Sequence, residues 1–455
     1  MAGLDTDRAQ KVARKLPAWA AVDAARRAAG LDPLEFPSAL SLEQCSSSAT
    51  ALYKAHLAGQ AAAAANLRFA HPSHAFRRGP LPFTRPWVAT GLPAAPPDPA
   101  EEEEKIGVVL DLTGGLGVDS WALSQVAERV VYFERNEELA AAAGRNFQRL
   151  GAGNIDVRCE TVTPQTELPE ADLIYADPAR RDAAGRKVFL LEDCTPDILT
   201  LLPMLLRKAP AVLLKLSPMA DLAMLAERLG PALHEIHVVE CDGEVKELLC
   251  LLLRDNPSPE PDIIVARLFG QAAADVQQGE SLRFRMSEER AAEAVYAVGV
   301  QPGDVLLEPC PALLKAGAFR LPCARWGLSK LAPSTHLYTG AYPPEPPAAI
   351  NPCPTLQTQS PGAGRSADAD FASLEHAAWA PFFKAWRIVE VLPLGAAAFK
   401  TLRKSYPRAD VTARNLPLGS AELQKRLGVA SGGTVHIFGC RLADGSSVLL
   451  VTESA

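Results

Sequence analysis

The sequence predicts an α/β fold: a Rossmann-like, doubly wound sheet of seven strands in the middle of the chain, preceded by an N-terminal helical domain and followed by small α+β domains. Three observations carry this expectation. Short apolar runs alternate with helix-compatible segments from Ile106 to about Asp255, the pattern of a mostly parallel sheet flanked by helices. The first run enters a glycine turn, Val108 to Ser120, reading V-V-L-D-L-T-G-G-L-G-V-D-S. That order is a strand, a bare backbone bend and a helix start. Finally, 455 residues are too many for one ordinary core, so about two to four domains are expected.

Composition removes several classes. Residues are 48% apolar, yet no run approaches the length of a membrane span; Leu248 to Leu253 suits a buried strand. The first thirty residues mix Asp5, Asp7 and Asp23 with Lys and Arg and lack an apolar segment, so no signal peptide and a cytoplasmic location are expected. Nine cysteines without a C-x-x-C pair fit reduced thiols. No metal is expected: His71 and His74 have no Cys or acid beside them, and His234 and His237 would split between the faces of a strand. A formal charge of −7 gives no general attraction to nucleic acid, and no DNA or membrane partner is expected.

Residues 1–90 read as the helical domain, Ala-rich with few strand formers. Within it Ser41 stands ahead of Gln44 at capping-box spacing. Residues 71–87 interleave Arg77, Arg78 and Arg85 with Phe76, Phe83 and Trp87, which suits either a nucleic-acid contact or a strap over the next domain. Residues 91–105, with prolines and Glu101 to Glu104 in a row, read as a linker.

Residues 106–256 form the expected sheet domain, with strands near 107–111, 130–134, 155–159, 172–177, 211–216, 235–241 and 247–253, the last two a hairpin about Cys241-Asp242-Gly243. The turn after the first strand, with Asp111, Thr113, Gly114, Gly115 and Gly117, is where a nucleotide-like cofactor lies against backbone that carries no Cβ. A dinucleotide would want G-x-G-x-x-G, but counting from Gly115 gives Gly117 and then Ser120. Asp119 opposes a pyrophosphate and tolerates an ammonium and a sulfonium, which favours S-adenosylmethionine. Glu134, ending the second strand, has the spacing of a carboxylate that takes ribose hydroxyls in either class. After the third strand, Cys159 and Glu160 fall where S-adenosylmethionine methyltransferases hold the adenine, with a simply solvated Glu160 as the alternative.

The fourth strand leads into Asp177-Pro178-Ala179-Arg180-Arg181, placing Asp177 at the crevice with Gly115 and Glu134. Its carboxylate can orient an acceptor N–H or O–H and draw off the proton, while Pro178 stiffens the turn. Amino-group methyltransferases carry Asp/Asn-Pro-Pro-aromatic here; this chain has Ala179 and Arg180 instead. Arg180 and Arg181 suit recognition of phosphate or carboxylate, or structural ion pairs with Asp182, Glu192 or Asp193. Thr195 or Asp193 would cap a helix opening at Pro196, and Lys215, after the fifth strand, is a candidate substrate contact.

Together D-L-T-G-G-L-G-V-D (Asp111 to Asp119), D-P-A-R-R (Asp177 to Arg181), E-D-C-T-P-D (Glu192 to Asp197) and K-L-S-P (Lys215 to Pro218) resemble the bacterial class I S-adenosylmethionine-dependent methyltransferases with a C-terminal THUMP-like domain. L-E-P-C-P-A-L-L-K-A-G-A-F (Leu307 to Phe319) and S-T-H-L-Y-T (Ser334 to Thr339) resemble that family's ferredoxin-like middle domain, and A-R-N-L-P (Ala413 to Pro417) its THUMP-like end. The resemblance implies a methyltransferase fold and, by analogy with THUMP domains, a structured RNA substrate, tRNA or rRNA. Two departures stand out. Thr113 replaces the first glycine of the common turn, and Pro311 interrupts the middle-domain segment.

The expected order is completed by a ferredoxin-like domain at 257–345, a flexible linker at 346–375 and the THUMP-like domain at 376–455. Strands are expected at Ile263 to Arg267 and Leu282 to Met286, and helices at Ser287 to Val298 and Ala312 to Phe319. From Ala380 onward ten Lys/Arg face five Asp/Glu. Lys400, Arg403, Lys404, Arg408 and Arg414 are candidate phosphate contacts, against a solvated helix face. Three readings stay open: an RNA methyltransferase, a cofactor-fold RNA-binding protein that has lost transfer, and a methyltransferase for a protein or small molecule.

Overall fold

The computed structural model describes residues 18–66, 105–179, 194–269, 277–340 and 378–454. The chain divides into two compact units, Met1–Arg285 and Met286–Ala455. The linkers expected at 91–105 and 346–375 and the basic-aromatic stretch 71–87 lie outside the described residues, Lys105 excepted.

The first unit begins with helices α1 (Ala18–Ala28), α2 (Ala39–Gln44) and α3 (Ser48–Asn66). Ser38, not Ser41, is the N-cap of α2: its hydroxyl accepts the Ser41 N–H. The α3 sequence is apolar all round, which makes it a buried helix. One side, with Tyr53, Leu57, Ala58 and Ala61, joins the sheet core at Val109, Leu173 and Leu213. The other, with Ala51, Leu52 and Ala55, packs with Trp19, Val22 and Leu34. The expected separate helical domain is therefore a layer of the α/β unit, because α3 buries residues on two sides, one against the sheet core and one against α1.

The α/β part runs β1 (Ile106–Asp111), α4 (Val118–Ser124), β2 (Ala127–Glu134), α5 (Glu137–Arg149), β3 (Ile155–Cys159), β4 (Leu173–Ala176), α6 (Ile198–Lys208), β5 (Ala211–Leu216), α7 (Leu222–Leu229), β6 (Leu233–Cys241), β7 (Glu244–Leu253), β8 (Asp262–Phe269) and β9 (Gln277–Arg285). The sheet order is β3-β2-β1-β4-β5-β7-β6-β8-β9. β1 to β5 are parallel and the β6–β7 hairpin is antiparallel, its turn held by left-handed Asp242 and Gly243. The expected seven-stranded sheet is thus present and extended by two strands. β8 pairs parallel with β6 and β9 antiparallel with β8, so residues expected in a middle domain from 257 belong to this sheet as far as Arg285. Asn136 caps α5 by accepting the Leu139 N–H, with Glu137 and Glu138 at the positive helix end and Arg149 at the negative end. Asp197, rather than Thr195 or Asp193, caps α6 by accepting the Thr200 N–H.

The second unit contains α8 (Met286–Ala291), β10 (Val305–Pro309), α9 (Pro311–Lys315), α10 (Leu321–Trp326), β11 (Ser329–Lys330), β12 (Tyr338–Thr339), β13 (Phe383–Pro393), α11 (Ala396–Ser405), β14 (Asp410–Arg414), α12 (Ser420–Leu427), β15 (Val435–Arg441) and β16 (Ser447–Ser454). They form one sheet in the order β11-β12-β10-β13-β16-β15-β14. Because β10 pairs with β13, the two domains expected at 257–345 and 376–455 share a single sheet. Pro311 does not interrupt its segment; it opens α9 behind the Cys310 cap, where a missing N–H costs nothing. The helix expected over Ser287 to Val298 stops at Ala291. On one face Leu402, Leu423 and Leu427 pack on Ile437, Leu449 and Val451; the other face holds Leu306, Trp386, Ile388, Phe438 and Leu450.

Candidate active site

The glycine turn leaves β1 at the carboxyl end of the parallel strands, the position where open α/β sheets take ligands. Asp111 is 1% exposed, and its carboxylate accepts the Thr113 N–H at 3.0 Å and the Ser120 hydroxyl. Burial pushes its acidity to about pH 7 against those donors, with Asp119 and Asp177 adding repulsion. It shapes the turn from within rather than facing the crevice. Gly114 donates its N–H to Phe133 O at 2.8 Å, and a Cβ on it would lie 2.0 Å from the Tyr132 ring. Tyr132 in turn donates its hydroxyl to Gly115 O at 2.5 Å. Gly117, at φ +95°, lies under Phe147, which a Cβ would strike at 2.5 Å. These two glycines serve close packing.

Gly115 differs. At φ +54°, a Cβ there would meet only Thr113 O, at 3.8 Å, so the backbone at this point faces open space. Its N–H is donated to Glu134 Oε2 at 2.9 Å, and the Asn136 N–H to Glu134 Oε1 at 2.7 Å. Two main-chain donors therefore fix the half-buried Glu134 carboxylate at the rim of the glycine turn. Glu160 is exposed on the same side; its N–H reaches Glu134 O at 3.0 Å. Thr113, Gly114 and Gly115 are all partly exposed, so a ligand has access to this bend.

Asp119 is already occupied. The Lys54 ammonium lies 3.1 Å from its Oδ1, and the Ser46 and Tyr175 hydroxyls donate to its Oδ2 at 2.9 and 2.7 Å. Although burial opposes its charge, Lys54 and Lys215 hold its pKa below the usual carboxylate range. Lys54 itself is 0% exposed and also reaches Glu247 at 3.0 Å, where burial raises the carboxyl despite the cation. The ligand-facing role expected of Asp119 thus gives way to a buried Asp119–Lys54–Glu247 array that ties α3 to the turn. Neither Lys54 nor Tyr175 was singled out by sequence reasoning. The available signal was a single lysine inside an otherwise apolar helix, since a buried cation requires a partner.

The fourth-strand turn meets the glycine turn through Thr113. Its hydroxyl accepts the Asp177 N–H at 2.6 Å, so the residue standing in place of a family glycine joins the two turns. Asp177 is 38% exposed at the side chain and Pro178 is buried. Lys215, at the end of β5, donates to Asp177 Oδ2 at 2.5 Å. Burial disfavours the lysine's charge, but Asp177, Glu247 and Asp119 outweigh it and hold the ammonium charged. Lys215 therefore supports Asp177 rather than standing free for substrate. Arg180 and Arg181 lie outside the described residues.

In the second unit the proposed phosphate contacts separate. Lys400 and Lys404 are exposed on α11. Arg403 instead caps α12, donating to Leu427 O at 2.9 Å and Arg426 O at 3.3 Å, and Arg414 pairs with Glu308 at 3.1 Å. Arg408 donates to Ser431 O at 3.2 Å. Among the described residues no three His, Cys, Asp or Glu converge as metal ligands, and no helix is long and apolar enough to cross a membrane.

Comparison with known proteins agrees with this architecture. Residues 306–345 match a ferredoxin-like domain family and residues 383–454 a THUMP domain-like family. Among curated proteins nothing matches. A crystal structure described as a "putative methyltransferase from Porphyromonas gingivalis W83" is 32% identical, with a TM-score of 0.66 over 94% of this chain and 86% of that chain. A structure described as "a putative methyltransferase from streptococcus mutans in complex with SAH" is 13% identical over 33% of this chain and 89% of its own, at a TM-score of 0.26. An rRNA methylase from Streptococcus thermophilus is 14% identical over 34% and 91%, at 0.25; both likenesses are too remote to bear on function. On the identity and coverage of the Porphyromonas protein and the two domain matches, this chain belongs to the bacterial class I S-adenosylmethionine-dependent methyltransferases that carry a ferredoxin-like segment and a THUMP-like C-terminal end.

Proposed function

We propose that the protein transfers a methyl group from S-adenosylmethionine to a nitrogen or oxygen of structured RNA. The observation that carries this reading is the Thr113 link, which sets the Asp177 turn against a glycine bend with open backbone. The residues fit the cofactor: Gly115 leaves room for a nucleoside, Glu134 has a carboxylate available to ribose hydroxyls, and the exposed Glu160 is available to the adenine. When bound, the cofactor supplies a methyl group on a sulfonium sulfur, an electrophile that needs a nucleophile in line.

Asp177 supplies the remaining chemistry. With Oδ2 fixed by Lys215, its partly exposed carboxylate accepts the acceptor's N–H or O–H, orients the lone pair and takes the proton as the new bond forms. Pro178 keeps that turn rigid, and Arg180 and Arg181, next in sequence, suit an RNA phosphate. The THUMP-like match and the exposed Lys400 and Lys404 support RNA as the acceptor. Incubation of the full chain with tritium-labelled cofactor and either total RNA or total protein tests this. Label in RNA, lost in Asp177→Ala, supports it; label in protein alone refutes the RNA acceptor, and no label in either refutes transfer.

A further inference from the structure

The α3 helix belongs to the N-terminal layer, yet one of its side chains ends among the charges beneath the crevice. Strand pairing explains how. On β5, Lys215 sits opposite Leu249 of β7, and Glu247, two residues earlier on β7, shares that face. Tyr175 of β4 is opposite Leu213, two residues before Lys215, so it lies on the same face. This is the face that α3 covers with Tyr53, Ala58 and Ala61. Lys54 reaches it from the same helix, with no exposure to solvent.

Five charges follow one another there with alternating sign: Asp177, Lys215, Glu247, Lys54 and Asp119. Lys215 donates to Asp177, while Lys54 donates to both Glu247 oxygens, at 3.0 and 3.2 Å, and to Ser46 Oγ at 2.9 Å. Those three acceptors take up the Lys54 N–H groups. Asp119 Oδ1, 3.1 Å from the same ammonium, makes no hydrogen bond of its own. The series turns back on itself at Tyr175, whose hydroxyl donates to Asp119 Oδ2 two residues before Asp177.

Three carboxylates thus share two ammonium groups. Lys54 and Lys215 are the cations that act on both Asp119 and Glu247, and Lys215 responds to all three acids. Which acid keeps Lys215 is decided by desolvation. The Asp177 side chain is 38% exposed and has water as a substitute partner, whereas Glu247 is 4% exposed and Asp119 13%. A buried carboxylate left without its cation is strongly destabilising, so loss of Lys54 would draw Lys215 inward, away from Asp177.

We infer that Lys54 is a positioning residue for methyl transfer: by neutralising Glu247 and Asp119 it leaves the Lys215 ammonium committed to Asp177, the carboxylate that takes the acceptor's proton. Lys54 has no bond to Asp177; its partners among the described residues are Ser46, Asp119 and Glu247, so its influence passes through Lys215. The N-terminal layer is then part of the working site as well as of the core. This rests on the proposed role of Asp177 and adds what keeps Lys215 beside it.

The test compares full-length variants in the tritium-transfer assay, with active sites counted from the calorimetric stoichiometry for S-adenosylmethionine. Total RNA and total protein are both offered, so a wrong acceptor does not disturb the readout. Lys54→Met should lower kcat about tenfold or more while the cofactor Kd stays within about twofold. Adding Asp119→Asn and Glu247→Gln removes both acids that compete for Lys215, and kcat should return to within about threefold of the unmodified protein although the lysine is still absent. Should Lys54→Met alone fail to fold, Lys54→Met/Glu247→Gln replaces it: Asp119 remains as competitor, and further Asp119→Asn should raise kcat roughly fivefold or more. With Lys54 in place, Asp119→Asn should not raise kcat. Unchanged kcat in Lys54→Met, a triple variant as slow as the single, or a cofactor Kd that weakens in step with kcat overturns the positioning role and leaves Asp177 as the base. Failure of the unmodified protein to label either acceptor overturns both.

Discussion

Lys215 Nζ donates to Asp177 Oδ2 at 2.5 Å, joining the carboxyl ends of β5 and β4 at the mouth of the crevice. The pair spends the lysine on holding the carboxylate in place. Asp177→Asn should therefore reduce transfer by about 10²- to 10⁴-fold, the usual range for a lost general base. Lys215→Met should lower kcat with little change in the KM for the cofactor, and Lys215→Arg should restore part of it. A KM-only effect would mean that Lys215 contacts substrate directly.

The adjacent glycines should behave differently. Gly114→Ala forces a Cβ into the Tyr132 ring and should destabilise the fold by about 1–3 kcal/mol or more. Gly115→Ala meets open space, so its cost is that of left-handed backbone, about 1–2 kcal/mol. Its larger effect should be on cofactor affinity. Thermal unfolding and cofactor titration of both variants separate packing from binding.

Lys54 bridges Asp119 and Glu247 with no exposure to solvent. Lys54→Met leaves two buried carboxylates facing each other without their cation and should cost about 3–5 kcal/mol. Adding Glu247→Leu should recover part of the loss. A double-mutant cycle by chemical denaturation measures the coupling, and simple additivity would show that the array is not energetically linked.

Asp111 gives a signed pH dependence. Its folded acidity, about 7, lies above that of an unfolded Asp, so the native state holds the proton more tightly. The associated stability is present below the unfolded value and is lost as pH rises towards 7. Unfolding midpoints of the unmodified protein should therefore fall between pH 4 and pH 7 relative to Asp111→Asn. An unchanged difference between the two proteins across that window would contradict the burial argument.

Much of this was legible because the signals are local. The strands around Asp111 and Glu134 follow short apolar runs, the strand ending at Cys159 follows an alternating one, and the β6–β7 hairpin follows its Asp242-Gly243 turn. The Asp177 position follows from a strand end meeting proline. What escaped depends on long-range pairing. Nothing periodic tells β8 and β9 which sheet to join, and β10 reaches β13 across a long intervening stretch. The apolar α3 shows no preferred face, so neither its burial nor the Lys54–Asp119 pair could be read from spacing. Arg403 illustrates the limit for charge patterns: a basic run suggested phosphate contacts, while the structure uses that guanidinium as a helix cap.

Isothermal titration calorimetry of the full chain with S-adenosylmethionine tests most directly whether the Gly115–Glu134 bend is a cofactor site. Saturable one-to-one binding, lost or weakened at least tenfold in Glu134→Ala without a matching loss of fold, is the expected result. Absence of binding, or binding indifferent to Glu134→Ala and Gly115→Ala alike, would contradict it.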